Sequence, residues 1–142
     1  MYRCARKLYD ASSMKLTLPL PPNRANARWH WRSEKKKKDN YFLACRALYP
    51  PSKEEPLSRV TITADLYLWS EMDTDNLFAR LKWPLDFLVH AGFIKDDSPK
   101  VIDWTGIPSQ HIDRKNQRIE LELTPEWFIK LVDPFDRTGI DD

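Results

Sequence analysis

The sequence predicts a single domain that combines β-strands with α-helices. Its 142 residues are the length of one ordinary domain, and 42% of them are hydrophobic, which at this size suffices for a core without a disulfide or a structural metal. Residues 59–69 alternate apolar and polar side chains, a pattern typical of a half-buried strand. Residues 77–88 carry leucines at four- and three-residue spacing, which is typical of an amphipathic helix.

The N-terminal elements follow from proline and capping signals. Residues 14–20 alternate apolar and polar side chains before Pro21 and Pro22, which predicts a strand that ends at the prolines because proline cannot donate to a ladder. From Ser33, which we assign as the N-cap, the composition favours a helix that ends before Pro50.

The leucine-rich helix is expected to span residues 76–90. Residues 73–76 supply capping side chains, and Gly92 provides a stop after its last turn. Pro84 lies inside this segment and removes one backbone donor, so we expect either a kink or two shorter helices that meet there.

The C-terminal part predicts two paired strands, residues 101–107 and 118–124, joined by a polar linker over 108–117. Pro125 then opens a short helix to residue 130. The predicted domain covers residues 14–130, between a loose leader (1–13) and a C-terminal tail (131–142).

Composition excludes several classes of protein. The formal net charge of +2 is too small for an undifferentiated polycationic nucleic-acid binder. Cys4 and Cys45 stand far apart without a Cys/His cluster, which indicates neither a zinc module nor a disulfide framework. The chain lacks an apolar run of membrane-spanning length and a signal-peptide pattern, so we expect a cytoplasmic protein without a membrane partner.

Charge is concentrated in two regions of opposite sign. Residues 24–38 carry seven basic residues against one acidic residue, a net charge of +6. Residues 71–97 carry six acidic residues against three basic ones, a net charge of −3. Either block alone is often a solvated surface. Together they suit a polyanionic substrate, which cations neutralise, and a divalent metal, which carboxylates hold.

The basic region is the candidate nucleic-acid interface. Its cations neutralise phosphates, while its interleaved aromatic rings, including His30, offer stacking surfaces for unpaired bases. Packing of the tryptophans in the core is the alternative. The candidate DNA-binding residues are Arg24, Arg28, Trp29, Trp31, Arg32, Lys35, Lys36, Lys37 and Lys38.

The acidic region offers hard oxygen ligands for Mg²⁺ or Mn²⁺ if its carboxylates converge. The candidate side chains are Glu71, Asp73, Asp75, Asp96 and Asp97. Helix capping for Asp73 and Asp75, and a turn for Asp96 and Asp97, are the alternatives. A helix over 76–90 separates the two groups by about 20 Å. An extended 93–97 segment recovers at most about 17 Å, so we expect closure within one chain, with a second subunit as the alternative.

Lys82 follows Asp75 by two helical turns. Helical side chains lean toward the N-terminus, so its ammonium can approach the acidic site. The alternative is an ordinary solvated helix lysine.

The order of four motifs resembles that of the RusA family of Holliday junction resolvases, and the likeness covers about residues 14–124. The chain carries about three more residues between Asp75 and Lys82 than the family pattern, so Lys82 is matched by its spacing to Asp86. The motifs are Leu18-Pro19-Leu20-Pro21-Pro22-Asn23, Asp73-Thr74-Asp75-Asn76-Leu77, Lys82-Trp83-Pro84-Leu85-Asp86 and Ala91-Gly92-Phe93-Ile94-Lys95-Asp96-Asp97.

The resemblance implies a metal-dependent endonuclease with an α+β fold and a mixed sheet. It implies that Asp73, Asp75 and Asp97 bind the metal, that Asp96 lies near the site and that Lys82 is the catalytic lysine. It also implies a homodimer that makes a symmetric pair of cuts in a four-way DNA junction, in recombination and repair. A nuclease for other branched DNA or RNA, and a non-catalytic junction-binding dimer with carboxylates as helix caps, are the alternatives.

Overall fold

The computed structural model describes residues 13–23 and 30–127, and within these ranges the chain forms five strands and three helices. The predicted leader and tail therefore fall almost wholly outside the described residues, as do residues 128–130 of the predicted last helix. In chain order the elements are β1 (Met14–Pro19), α1 (Trp31–Leu48), β2 (Val60–Leu68), α2 (Thr74–Arg80), α3 (Lys82–His90), β3 (Ile102–Trp104), β4 (Ser109–Ile112) and β5 (Arg118–Pro125).

The strands form one mixed sheet, which confirms the predicted α+β class with a mixed sheet. Its order is β1-β5-β2-β3, and β4 also lies beside β2. Strand β5 runs antiparallel to β1 and β2, whereas β3 and β4 run parallel to β2. Strand β2 is therefore central, and β4 pairs with its last four residues, 65–68.

One face of the sheet is buried under the helices. Alternate residues of β2 are buried, from Val60 to Leu68, as the period-2 pattern predicts. Phe87 and Leu88 of α3 are fully buried in the same core, each contributing about 1.5–3 kcal/mol through burial. The free thiol of Cys45 in α1 is also buried, and this burial raises its pKa to about 11.

Two tyrosines protect the edge strand β1. Tyr41 lies within α1, and Tyr49 is its C-cap residue. The Tyr41 hydroxyl donates to the Pro19 carbonyl at 2.8 Å, and the Tyr49 hydroxyl accepts the Thr17 N–H at 2.8 Å. An unpaired strand edge is a template for unwanted pairing. These bonds satisfy edge groups of β1 and fix α1 against the sheet.

Two predictions about the C-terminal strands are wrong. Strands β3 and β5 do not pair with each other, because each pairs with β2 on an opposite side. The supposed polar linker contains β4, whose residues 109–112 pair with residues 65–68. This segment has little strand character of its own, and the exposed edge of β2 supplies the pairing.

The helix boundaries also differ from prediction. Helix α1 begins at Trp31, not after Ser33, because the His30 ring nitrogen Nδ1 accepts the Arg32 N–H at 3.2 Å and caps it. The leucine-rich segment does form two helices, but they meet at Leu81. A proline ring clashes with the carbonyl four residues earlier, which here belongs to Arg80, the last residue of α2. Pro84 itself lies in the first turn of α3, where a missing donor costs little.

Within the described ranges, the helices are too short or too polar to cross a membrane.

Candidate active site

The first acidic motif lies where the chain leaves β2 and begins α2. Asp73 is the N-cap residue of α2, and its carbonyl accepts the Leu77 N–H at 3.1 Å. Its side chain makes no capping hydrogen bond. The Asp75 carboxylate accepts the N–H of the adjacent Asn76 at 3.1 Å, and both acids are exposed. Capping therefore accounts for the position of Asp73 in the helix but not for its carboxylate.

The backbone just before this motif is held by a glutamine of β4. Gln110 Oε1 accepts the Met72 N–H, and Gln110 Nε2 donates to the Met72 carbonyl, each at 2.9 Å. Gln110 and Met72 are 38 residues apart and both are half-buried. The start of the acidic motif is thereby attached to the sheet.

The second acidic motif follows a tight C-terminal cap on α3. The Gly92 N–H donates to the Val89 carbonyl, and the Phe93 N–H donates to the Leu88 carbonyl, which is the Schellman pattern. Gly92 has a φ of +82°, in the left-handed region that strains residues with a Cβ. The glycine stop is confirmed. The chain then runs beside Leu57, which bridges Ile94, and reaches Asp96 and Asp97.

This return brings Asp97 to Lys82 at the start of α3. Lys82 Nζ lies 3.6 Å from Asp97 Oδ2 and 3.6 Å from Asp86 Oδ1, while the other Asp86 oxygen accepts from Lys38 Nζ at 2.8 Å. Four charges of alternating sign thus form a chain from α1 to the second motif. Because the Lys82 side chain is 57% exposed, it remains accessible to a substrate.

Asp96 lies next to this chain of charges. It is exposed, and its Oδ1 accepts the Asp97 N–H at 2.8 Å. This local bond is the turn geometry that the alternative interpretation of Asp96 and Asp97 predicts. The turn and the approach of Asp97 to Lys82 coexist.

Aromatic contacts between α1 and α3 set the position of Lys38. The rings of Tyr41 and Trp83 lie 6.1 Å apart, and Phe42 contacts Phe87 edge-on at 5.8 Å. Lys38 precedes Phe42 by one helical turn, and its ammonium lies 5.6 Å from the centre of that ring. Packing of the two helices therefore places Lys38 of α1, which we call the basic helix, beside Asp86.

Two clefts run along this junction and share Lys38 and Asp86. The smaller, of about 260 Å³, is bordered by Trp31, Glu34, Lys35, Lys38, Lys82, Trp83 and Asp86. The larger, of about 450 Å³, is bordered by Lys38, Phe42, Asp86, Val89, His90, Asp96 and Asp97. The candidate DNA-binding lysines Lys35 and Lys38 thus lie beside Lys82 and the second acidic motif.

The other residues of the predicted interface have varied environments. Trp31 is 63% exposed, so core packing does not explain it, and the Arg32 guanidinium lies 5.1 Å from its ring centre. Lys35 pairs with Asp39, Lys36 is exposed, and Lys37 is half-buried. Arg24, Arg28 and Trp29 lie outside the described residues.

The structure brings Lys82 to Asp97 but leaves the first acidic motif outside this contact. Within residues 13–23 and 30–127, no hydrogen bond or ion pair joins Asp73 or Asp75 to Asp97. In the same residues no three His, Cys, Asp or Glu side chains form a group that could hold a metal ion. Convergence of the three aspartates stays a prediction.

The chemistry of these side chains suits Mg²⁺ nonetheless. This ion commonly uses one or two carboxylates and completes its shell with water and substrate phosphates. Asp73 and Asp75 are exposed carboxylates beside a helix start, and the Asp73 side chain is not used as a cap. A site completed by bound nucleic acid fits this donor set.

Two contacts were not predicted from the sequence. The link from Asp86 to Lys82 has a detectable signal, since the four-residue spacing places both on one helix face. The bonds from Gln110 to Met72 have none, because they join positions in separate elements that become neighbours only in the folded sheet.

Fold and site together define a single-domain α+β protein with charged clefts where a basic helix meets an acidic loop. No protein-family model matches the chain, and no curated protein matches it.

Proposed function

We propose that this chain is a Mg²⁺- or Mn²⁺-dependent endonuclease of RusA type, which resolves Holliday junctions by paired symmetric nicks. The observation that carries the proposal is the contact of Lys82 with Asp97, at 3.6 Å. These residues belong to two motifs on which the family resemblance rests, and ordinary helix packing does not require them to meet. A homodimer is part of the proposal, because symmetric cuts need two sites related by a twofold axis.

Lys82 has the properties of a transition-state stabiliser. Its ammonium is exposed at the cleft, while Asp86 and Asp97 flank it and restrict its position. A lysine held as a compact cation stabilises charge on the phosphoryl oxygens or on the departing 3′-oxygen. A bound divalent ion would supply activation of the attacking water and neutralisation of phosphate charge.

The basic helix has the properties of a strand-binding surface. Lys35 and Lys38 border the same cleft as Lys82, and Trp31 presents an exposed ring at its edge. Cations neutralise the backbone, and an aromatic face stacks on a base that has left its pair. A DNA strand bound along α1 would therefore reach Lys82.

The decisive experiment incubates the purified chain with a synthetic four-way junction, with Mg²⁺ or with chelator. We expect paired symmetric nicks with Mg²⁺ only. Asp75→Asn should abolish cleavage while junction binding survives. Glu122→Gln is the matched control, because Glu122 points to the sheet face opposite the helices and should leave cleavage unchanged.

The same assay separates the alternatives. Preferential cutting of flaps, forks or RNA over the junction would indicate a nuclease for other branched nucleic acids. Binding that chelator does not change, without any nick, would indicate a non-catalytic junction-binding dimer. Loss of both binding and cleavage in Asp75→Asn, with an intact circular dichroism spectrum, would contradict the assigned role of Asp75.

A further inference from the structure

We propose that Gln110 is a positioning residue, which fixes the first acidic motif through the backbone of Met72; this inference rests on the proposed function. The side-chain amide of Gln110 accepts a hydrogen bond from the Met72 N–H and donates one to the Met72 carbonyl, each at 2.9 Å. Met72 belongs to no strand, and the Gln110 side chain gives its backbone the pair of hydrogen bonds that a neighbouring strand would otherwise provide.

An amide side chain performs both halves of this contact with two separate atoms. It offers a carbonyl acceptor and an NH₂ donor in one plane, whereas an ionised carboxylate only accepts and a thioether forms weak bonds at best. We call these two hydrogen bonds between Gln110 and Met72 the clamp. The backbone of Gln110 is fixed because β4 pairs with β2, where Gln110 lies opposite Leu66. Met72 is therefore tied to the centre of the sheet.

The side chain of Met72 is contacted as well. Arg80, the last residue of α2, approaches the Met72 sulfur with Nη1 at 3.6 Å. The clamp thus joins three elements, β4 through Gln110, the loop through Met72 and α2 through Arg80.

The clamp matters for the orientation of the Asp73 carboxylate because this carboxylate, unlike that of most N-cap aspartates, is not fixed by a capping hydrogen bond. Such a residue normally locks its own carboxylate with a bond to the helix N-terminus. Asp73 makes no such bond, and its backbone is extended, with φ −70° and ψ 156°. Its backbone is held on one side by the Leu77 N–H, which its carbonyl accepts, and on the other by the preceding residue Met72, which Gln110 holds. Removal of a group that hydrogen-bonds directly to a metal-binding side chain commonly lowers activity or metal affinity 10- to 100-fold, and we expect an effect of this order for the backbone contact of Gln110.

The test compares Gln110→Met, which has a similar length without the amide, with Gln117→Met, an exposed control in the turn before β5. In Gln110→Met we expect the Met72 amide to exchange its hydrogen about tenfold faster or more, with the amides of residues 60–68 unchanged. Cleavage of the junction should fall about 10- to 100-fold in kcat, the Mg²⁺ needed for half-maximal cleavage should rise, and junction affinity in chelator should stay constant.

Several results would overturn the inference. Unchanged exchange at Met72 would show that no clamp operates in solution, and faster exchange with wild-type kcat and Mg²⁺ response would show that the clamp does not position the acids. Should Gln110→Met fail to fold, Gln110→Ala carries the same test, since it removes both the acceptor for the Met72 N–H and the donor to the Met72 carbonyl. A wild-type chain that never cleaves would overturn the proposed function instead, and catalytic positioning with it.

Discussion

Lys82 and Asp97 lie 15 positions apart in the chain, yet their charged atoms approach to 3.6 Å. Lys82 is the first residue of α3, and Asp97 follows the last residue by seven positions. Helix α3 is about 13 Å long, so the chain must reverse to bring Asp97 back to its start. The left-handed Gly92 and the pairing of Ile94 with Leu57 produce this reversal. The charged contact is therefore a product of the glycine cap.

Replacement of Lys82 by Met should remove most of the cleavage activity. Loss of a single preorganised group that stabilises transition-state charge costs about 10²- to 10³-fold in kcat. Lys82→Met should therefore reduce single-turnover cleavage of a four-way junction by about this factor, with little change in junction affinity. The matched control is Lys15→Met, on the sheet face opposite the helices, which should cleave like the wild type. Equal activity of Lys82→Met and wild type would remove Lys82 from the mechanism.

Sequence alone predicts the elements whose pattern is local. Strand β2 spans residues 60–68 against a prediction of 59–69, because burial of one face enforces the alternation. The stop at Gly92 is likewise encoded in a single residue that tolerates a positive φ. Strand β4 is not predictable in this way, since Ser109 to Ile112 become a strand only beside residues 44 positions earlier.

The residues of the candidate site likewise differ in whether a local sequence pattern predicts them. The motifs predict Asp73, Asp75, Lys82 and Asp97 as site residues through a family resemblance, and the local spacing of Lys82 and Asp86 explains their contact. Gln110 has no such signal, because its partner atoms belong to the backbone of Met72 and carry no sequence information. The helix junction falls between these cases. Pro84 predicts a break, but its steric effect acts four residues upstream.

Tyr41→Phe should destabilise the fold. Tyr41 is a buried residue whose hydroxyl donates to the carbonyl of the half-buried Pro19, so its removal leaves an edge carbonyl of β1 without this donor. A buried acceptor left without a partner costs about 1–3 kcal/mol, and a half-buried one falls toward the lower end of this range. We expect the free energy of unfolding, measured with urea, to fall by about 1–2 kcal/mol. Tyr49→Phe, which loses a bond at an exposed position, should cost less. A larger loss for Tyr49→Phe would contradict the assignment of Tyr41 as the main edge anchor.

Asp113 should contribute stability that disappears in acid. The hydrogen bond from Arg118, at 3.1 Å, and those from the Lys115 and Asn116 amides hold the pKa of this carboxyl below its ordinary value of 3.8. A lowered pKa stabilises the folded state at pH values above the ordinary one, and this stabilisation is lost as the pH falls through the folded-state pKa. Wild type should exceed Asp113→Asn in urea stability near pH 6, and the difference should shrink toward about pH 2. A difference that is constant across this range would contradict the shifted pKa.

Binding to the junction in chelator should weaken steeply as salt rises, and one lysine should account for a measurable part of the slope. Each phosphate that a cation neutralises adds about 0.9 to the slope of log K against log salt. Lys36 is exposed on α1, so we expect Lys36→Met to lower the slope by about 0.9. Lys35 and Lys38 already pair with Asp39 and Asp86, and their replacement should change the slope less. Lys15→Met should leave the slope unchanged. A flat salt response of the wild-type chain, or equal slopes for all variants, would contradict α1 as the surface that binds DNA.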